Sequence, residues 1–252
     1  MFKIPVSTLF LGKNLVDLPE CESTNTYASD LSARGNVPEG TVVITKRQFL
    51  GRGQRGNTWE AQEGVNLTLS IILYPRFLEP SRQFALSQAI SLAVWDLLTF
   101  LGIPDAGIKW PNDIMIDEKK VCGILIENQV RGQVFSQAIV GIGLNVNQVE
   151  FKLPKATSIA LTTGKQHDLN WVLAELLKRV EGRYLQAKNQ ASHLAKEYLE
   201  RLFWKNESHM FLSGGHTFAG VIESVDTGGR LLVRREDDRI DSFAAREISY
   251  VR

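Results

Sequence analysis

A long apolar segment at helical spacing, set after two extended segments, places the strongest constraint on the fold of this chain. Between Arg82 and Leu101 the apolar residues recur every three or four positions, which is typical of a buried α-helix. Gly102 follows directly and favours termination of that helix. Residues 41–47 and 65–74 are β-branched or alternating, which predicts strands. The first part of the chain must therefore combine strands with at least one buried helix.

The segments after this helix predict further strands and then two more helices. Residues 107–110 and 113–116 flank a turn-prone Pro-Asn pair, and a hairpin at 117–120 leads into the strand VCGILIE. A mostly apolar strand is expected over 133–146. Asp168 is a suitable N-cap for the next helix. The apolar residues of the two helices are Leu173, Leu176, Leu177, Val180 and Tyr184, and then Leu194, Tyr198 and Leu202.

The pattern changes after about Asn206. Four short segments there have strand character, and DTGG and EDD turns separate them. Closely spaced short strands without helices predict a small β-barrel. We therefore expect two domains, 1–206 and 207–252.

Composition excludes several classes of protein. Charged residues of both signs are interspersed and the formal net charge is +1, so a broad electrostatic surface for duplex DNA is not expected. No segment approaches the roughly 20 apolar residues of a membrane span, and the N-terminal 15 residues do not resemble a signal peptide. Cys21 and Cys122 fit no disulfide framework, which favours a reducing, cytoplasmic setting. The four histidines form no metal-ligand spacing.

The loop GRGQRG, residues 51–56, is the first candidate for a functional site. Its glycines let the backbone approach a ligand closely, and its arginines offer planar forks suited to phosphate. No helix follows, so it is not a dinucleotide-binding fingerprint, and it lacks the GK[ST] ending of a phosphate-binding P-loop. The alternative interpretation is a solvated turn.

Three other motifs have both a structural and a functional interpretation. In KWPND, Lys109 stands at a strand end, where it is either an exposed turn lysine or a cation for developing negative charge. In ESTN, residues 22–25, one side chain can cap a helix, and the surplus hydroxyls and amide suit a compact polar ligand head. In GIGLNVN, residues 141–147, the asparagines either end a strand or contact a ligand.

In order and spacing, these motifs resemble the catalytic domain of biotin–protein ligases. The series is STN, Q-x-x-GRG-x-x-G-x-x-W, KWPND, GIL-x-E and GIGLNVN, and it runs from about Cys21 to Asn147. Residues 207–252 resemble the C-terminal domain of that family. The resemblance implies an α/β fold of the α+β type, with a mixed sheet packed against helices and a small C-terminal SH3-like β-barrel. It also implies that ATP activates biotin to biotinyl-5'-AMP, and that biotin then passes to a lysine of a biotin carboxyl carrier protein.

The resemblance implies roles for particular residues. The ureido head of biotin would be held by Ser23, Thr24, Asn25 and Gln48, and its rings and tail would be lined by Gly123 and Leu125. The loop residues Gly51, Arg52, Gly53 and Gln54 would close over the carboxylate, with Arg52 and Lys109 as the catalytic cations. The nucleotide side would be formed by Arg55, Trp59, Asn112 and Asn145. Magnesium is expected to arrive with ATP, bound through phosphates and water and not by a protein cage.

Two departures from the family pattern matter. Members that also repress transcription carry an N-terminal helix-turn-helix, for which there is no room before Ser23, so no nucleic-acid partner is expected. Many members have a second arginine where this chain has Gln54. The resemblance is compatible with a homodimer. The alternatives are a lipoate or octanoate ligase and a non-catalytic biotin-binding sensor.

Overall fold

The structure is a computed structural model, and it describes residue 2 and residues 7–132 and 134–251, apart from the side chain of Arg55. Seven strands form one mixed sheet in the order β1-β2-β3-β7-β6-β5-β4, in which β1 and β2 are parallel and the other neighbours are antiparallel. The strands are β1 (Leu15–Cys21), β2 (Val42–Gln48), β3 (Leu67–Leu73), β4 (Ala106–Lys109), β5 (Asp113–Ile116), β6 (Lys119–Arg131) and β7 (Val134–Leu144).

Helices cover both faces of this sheet. Successive residues of β2 and β3 point to opposite faces, so Val42 and Ile44 join one apolar cluster while Val43 joins another. The first cluster contains the helix that the sequence predicts after residue 82, and the second contains Ala28 of the short helix that begins within ESTN. The helices are α1 (Thr24–Arg34), α2 (Phe84–Phe100), α3 (Ile159–Thr163), α4 (Leu169–Asn189) and α5 (Ala191–Glu200).

Five short strands form a second, antiparallel sheet in the order β11-β10-β9-β8-β12. An antiparallel C-terminal sheet agrees with the small β-structure expected there. In the described residues β11 and β12 lie at opposite ends of the strand order, and no pairing between them is seen. The strands are β8 (Ser208–Ser213), β9 (His216–Val225), β10 (Leu231–Arg235), β11 (Ile240–Phe243) and β12 (Ser249–Tyr250).

Several local expectations are confirmed and others are corrected. The carboxylate of Asp168 accepts a hydrogen bond from the Asn170 N–H at 2.8 Å, as an N-cap should. The second predicted helix ends at Glu200, so Leu202 lies beyond it. The sequence interpretation missed β1, β8 and α3, because each is short or has weak periodicity. None of the helices in the described ranges is long and apolar enough to cross a membrane.

Candidate active site

The floor of the candidate site is the central part of the sheet, on the face covered by α1. The register pairs Gly123 with Gly143 and Leu125 with Gly141, so these residues of β6 and β7 share that face. A Cβ at Gly141 would lie 2.4 Å from Asn25 Oδ1, and one at Gly143 would lie 2.2 Å from Trp59 Cε2. The side chain of Asn25 therefore packs directly on the sheet at Gly141, and the indole of Trp59 packs on it at Gly143.

The ESTN motif forms a fixed polar cradle at one end of this floor. Ser70 Oγ of β3 lies 2.7 Å from Thr24 Oγ1 and 2.6 Å from Asn25 Oδ1. The side-chain carbonyl of Gln48 accepts from the Thr24 N–H at 2.8 Å. Ser23 occupies the N-cap position of α1, but its side chain makes no capping hydrogen bond within the described structure. Side-chain capping by Ser23 therefore does not explain ESTN, and Thr24 and Asn25 are held by hydrogen bonds to β3 and β6 instead.

Glu127 joins the cradle to the GRGQRG loop. Its carboxylate accepts from Asn25 Nδ2 at 2.8 Å and forms an ion pair with the guanidinium of Arg52. Arg52 also forms an antiparallel bridge with Thr58 across the loop, and the Trp59 N–H donates to the Gly51 carbonyl at 2.9 Å. The loop is thus a small hairpin that folds back on itself and places Trp59 over the sheet.

Two lysines lie on the other side of Trp59. Lys109, at the end of β4, places its Nζ 4.7 Å from the ring centre of Tyr250. Lys120 Nζ lies 2.7 Å from Asp113 Oδ1 and 5.4 Å from the centre of the Trp59 ring. Arg52 and Lys120 are each paired with a carboxylate, of Glu127 and Asp113, and with Lys109 they place three cationic groups around the cavity. An anionic ligand could replace those carboxylates as their partner.

A cavity of about 320 Å³ connects the cradle with the lysines, and its size is at the lower end for small-molecule sites. Twelve of the residues selected from the sequence line it: Ser23, Thr24, Asn25, Gln48, Arg52, Gly53, Gln54, Trp59, Lys109, Asn112, Gly123 and Leu125. Gly51 and Asn145 instead line an adjoining cavity of about 1340 Å³. Trp59, Lys109, Lys120 and Tyr250 line both. The side chain of Arg55 lies outside the described residues.

Both asparagines expected on the nucleotide side have contacts within the protein. Asn112 Nδ2 donates to the Ile124 carbonyl at 2.8 Å, which ties the KWPND turn to β6. Asn145 Nδ2 donates to the Thr157 carbonyl at 3.0 Å, and the residue is only 3% exposed. At least part of the role of each is to hold a loop in place.

The structure adds cavity residues that the sequence analysis did not select. Asp113 belongs to KWPND and Lys120 immediately precedes the VCGILIE strand, so their proximity to recognised motifs was an available signal. Thr68 also lines the cavity, and it lies in β3 opposite Thr45 of β2. No local signal marks Tyr250, which reaches the site from the last strand of the second sheet.

The chemistry of the described residues favours electrostatic catalysis over covalent catalysis. Cys122 is fully buried in β6, and burial raises the pKa of its thiol far above the usual range, so it is not a nucleophile. The described residues contain no group of three or more His, Cys, Asp or Glu side chains that could hold a metal ion. Fixed cations beside a polar cradle can bind and activate a ligand that has a polar head and an anionic end.

Comparisons with known proteins agree with this chemistry. The sequence model of the biotin/lipoate A/B protein ligase family matches residues 18–145. The chain is 36% identical over 185 residues to the bifunctional ligase/repressor BirA of Bacillus subtilis (strain 168), covering 71% of this chain and 56% of that protein. It is 33% identical over 214 residues to a biotin--[acetyl-CoA-carboxylase] ligase of Mycobacterium tuberculosis, covering 83% of this chain and 79% of that one.

Solved structures show the same likeness. The structure of a biotin protein ligase from Aquifex aeolicus in complex with biotin and ATP superposes with a TM-score of 0.79 at 31% identity. That superposition covers 95% of this chain and 99% of the other. By contrast, the chain spans only 56% of the length of each of the two Bacillus relatives.

Proposed function

The chain belongs to the biotin/lipoate A/B protein ligase family, and on that premise we propose that it is an ATP-dependent biotin–protein ligase. It would convert biotin and ATP to biotinyl-5'-AMP and pyrophosphate, and then transfer the biotinyl group to the ε-amino group of a lysine with release of AMP. The observation that carries this proposal is the composition of one cavity. Its Thr24 and Asn25 end can pair with a cyclic urea, and its Lys109 and Lys120 end can hold a carboxylate and a phosphate.

The cradle would bind the ureido head of biotin. A cyclic urea has one acceptor oxygen and two N–H donors, and Ser23, Thr24, Asn25 and Gln48 supply hydroxyls and amides of both kinds. Because Ser70 and Glu127 already hold the Asn25 amide in one orientation, little side-chain freedom is lost on binding. Leu125 and Gly123 would line the rings and tail along β6.

The cations would act in the first reaction. The biotin carboxylate attacks the α-phosphorus of ATP and pyrophosphate leaves, so negative charge accumulates on the phosphoryl oxygens. Lys109, Lys120 and Arg52 line the cavity where these oxygens would lie and would stabilise that charge. Arg52 would exchange its ion pair with Glu127 for the ligand. Magnesium would arrive with ATP and be bound mainly through phosphates and water.

The larger adjoining cavity would take the rest of the nucleotide. Gly51, Trp59 and Asn145 line it, and Trp59 separates it from the biotin end. We place Arg55 and Asn112 on the nucleotide side only by family resemblance. We also propose the division into a catalytic domain, 1–206, and a small C-terminal domain, 207–252.

The acceptor would be a biotin carboxyl carrier protein or domain. Relatives from Mycobacterium tuberculosis and Paracoccus denitrificans are named biotin--[acetyl-CoA-carboxylase] ligases, which supports a carboxylase carrier as the protein substrate. Cys21 and Cys122 are both free, which fits a cytoplasmic setting. The formal net charge of +1 gives no support to a DNA-binding role.

The test is pyrophosphate exchange into ATP, measured separately with biotin, lipoate and octanoate. We expect exchange with biotin alone, because the polar cradle matches a urea and offers no advantage to a dithiolane or an alkyl chain. Exchange with lipoate or octanoate at an equal rate would show a lipoyl-type ligase. Biotin binding without any exchange would show a sensor, and either result would overturn the proposal.

A further inference from the structure

The backbone around Lys109 is held on both sides by parts of the chain distant in sequence. The Ile108 N–H donates to the Arg201 carbonyl at 2.8 Å, and the Phe203 N–H donates to the Ile108 carbonyl at 2.8 Å. Trp110 is 2% exposed, and its indole N–H donates at 3.0 Å to the Gly229 carbonyl in the turn between β9 and β10. The Lys109 backbone therefore has a fixed position relative to the C-terminal sheet.

The side chain of Lys109 extends beneath an aromatic ring of that sheet. The Lys109 ammonium lies 4.7 Å from the ring centre of Tyr250, which is within the range of a cation–π contact. Tyr250 itself is held in place, because its ring centre lies 5.4 Å from that of Trp204 and 5.5 Å from that of Phe211. The next N–H along the strand, that of Val251, donates to the Met210 carbonyl at 3.0 Å.

We infer that Tyr250 is a positioning residue for adenylation, in which the C-terminal sheet holds the Lys109 ammonium over the boundary between the two cavities. This inference rests on the proposed function. A lysine has a flexible four-carbon stem, so a fixed backbone alone leaves its ammonium free to move among rotamers. The Tyr250 ring is a rigid surface that attracts the cation, so it restricts the rotamers among which the ammonium moves.

The alternative is that Tyr250 only fills space in the aromatic cluster of the second sheet. Three variants separate the two interpretations. Tyr250→Phe keeps the ring face, Tyr250→Leu removes it, and Phe243→Leu removes a different ring of the same sheet, whose partner is Phe218. Phe243 is buried and does not line either cavity, so it is a matched control for general loosening of the sheet.

The measurement is biotin-dependent pyrophosphate exchange, with kcat and the KM for biotin determined for each protein. We expect Tyr250→Leu to lower kcat about fivefold, as the loss of a half-buried cation–π contact would do. The KM for biotin should change less than about twofold, because other elements form the polar cradle. Tyr250→Phe should recover most of the loss, and Phe243→Leu should keep the wild-type kcat even if it unfolds at a lower temperature.

A double-mutant cycle shows whether Tyr250 acts through the lysine. Combined with Lys109→Met, Tyr250→Leu should lower kcat no further than Lys109→Met alone. Additive losses, an unchanged kcat in Tyr250→Leu, or an equal loss in Phe243→Leu would each overturn the inference. If the wild-type protein shows no exchange with biotin, it is the proposed function that fails, so the two failures are distinguishable.

Discussion

The contact between Trp59 and β7 leads to the most specific prediction. A Cβ at Gly143 would lie 2.2 Å from Cε2 and 2.6 Å from Nε1 of the Trp59 indole. Such distances are far below van der Waals contact, so in Gly143→Ala the indole must move by more than an ångström. Gly143 itself lies in an ordinary extended strand, where alanine meets no backbone strain.

The expected consequence is large for activity and moderate for stability. Trp59 lies on a surface loop and can shift, so we expect the free energy of unfolding to fall by about 1–3 kcal/mol, as is usual for overpacking. The indole, however, lines both cavities, so its displacement would alter the shape of each. A misplacement of about 1 Å in a reacting site can lower the rate roughly 100-fold, or about 2.7 kcal/mol.

The assay is pyrophosphate exchange with the KM values for biotin and ATP measured separately, together with urea unfolding. In Gly143→Ala we expect kcat to fall and the KM for ATP to rise. In Gly141→Ala the new methyl group would meet Asn25 Oδ1, so the KM for biotin should rise instead. Gly182→Ala is the control, because its new Cβ on α4 would meet nothing within 4 Å. It should be at least as stable as the wild type.

The reasoning would be refuted if Gly143→Ala retained the wild-type kcat and KM for ATP while folding normally. It would be refuted equally if Gly141→Ala and Gly143→Ala changed the same kinetic constant, because the two contacts would then not divide the site as described.

Three further predictions concern single side chains. Lys109→Ala should lower kcat at least 10-fold and lower the unfolding temperature by only a few degrees, because one cation–π contact is lost. Lys196→Ala on α5 should retain activity. Full activity of Lys109→Ala would make Lys109 a simple turn lysine. Gln54→Arg should slow the release of biotinyl-adenylate and reduce stray biotinylation of a bystander protein, because the arginine adds a charge-assisted donor to the cavity. Unchanged release would show that residue 54 points away from the phosphate. Burial raises the pKa of the Cys122 thiol strongly and that of the Cys21 thiol less. A thiol reagent at pH 8 should therefore label Cys21 slowly and Cys122 only after denaturation. Rapid labelling of both cysteines would contradict this burial.

Local sequence signals located most of the elements and twelve of the residues that line the smaller cavity. The helix over 84–100, the Asp168 cap and the strands on either side of KWPND depend on neighbouring residues, so their patterns could be read directly. The motif series could also be recognised, because its order and spacing match a known family. Recognition gave residue types and order, and it could not show which of these side chains touch.

The arrangement of charges depends on sheet order and register. Glu127 meets both Asn25 and Arg52 only because β6 lies beside β7 with Leu125 opposite Gly141. Lys120 meets Asp113 because β5 and β6 are antiparallel neighbours. A shift of one residue in either register would turn these side chains to the opposite face.

By itself, therefore, the sequence determined α2, α4 and α5, the strands on either side of KWPND and the polar and cationic residue types of the site, because these follow from nearest-neighbour periodicity and from recognisable motifs. Only the tertiary structure decided the strand order of the C-terminal sheet and that Tyr250 reaches Lys109. It also revealed that the two β7 glycines support Asn25 and Trp59. The physical reason is that these contacts join residues far apart in the chain, and their geometry is set by strand pairing and packing that no local pattern encodes.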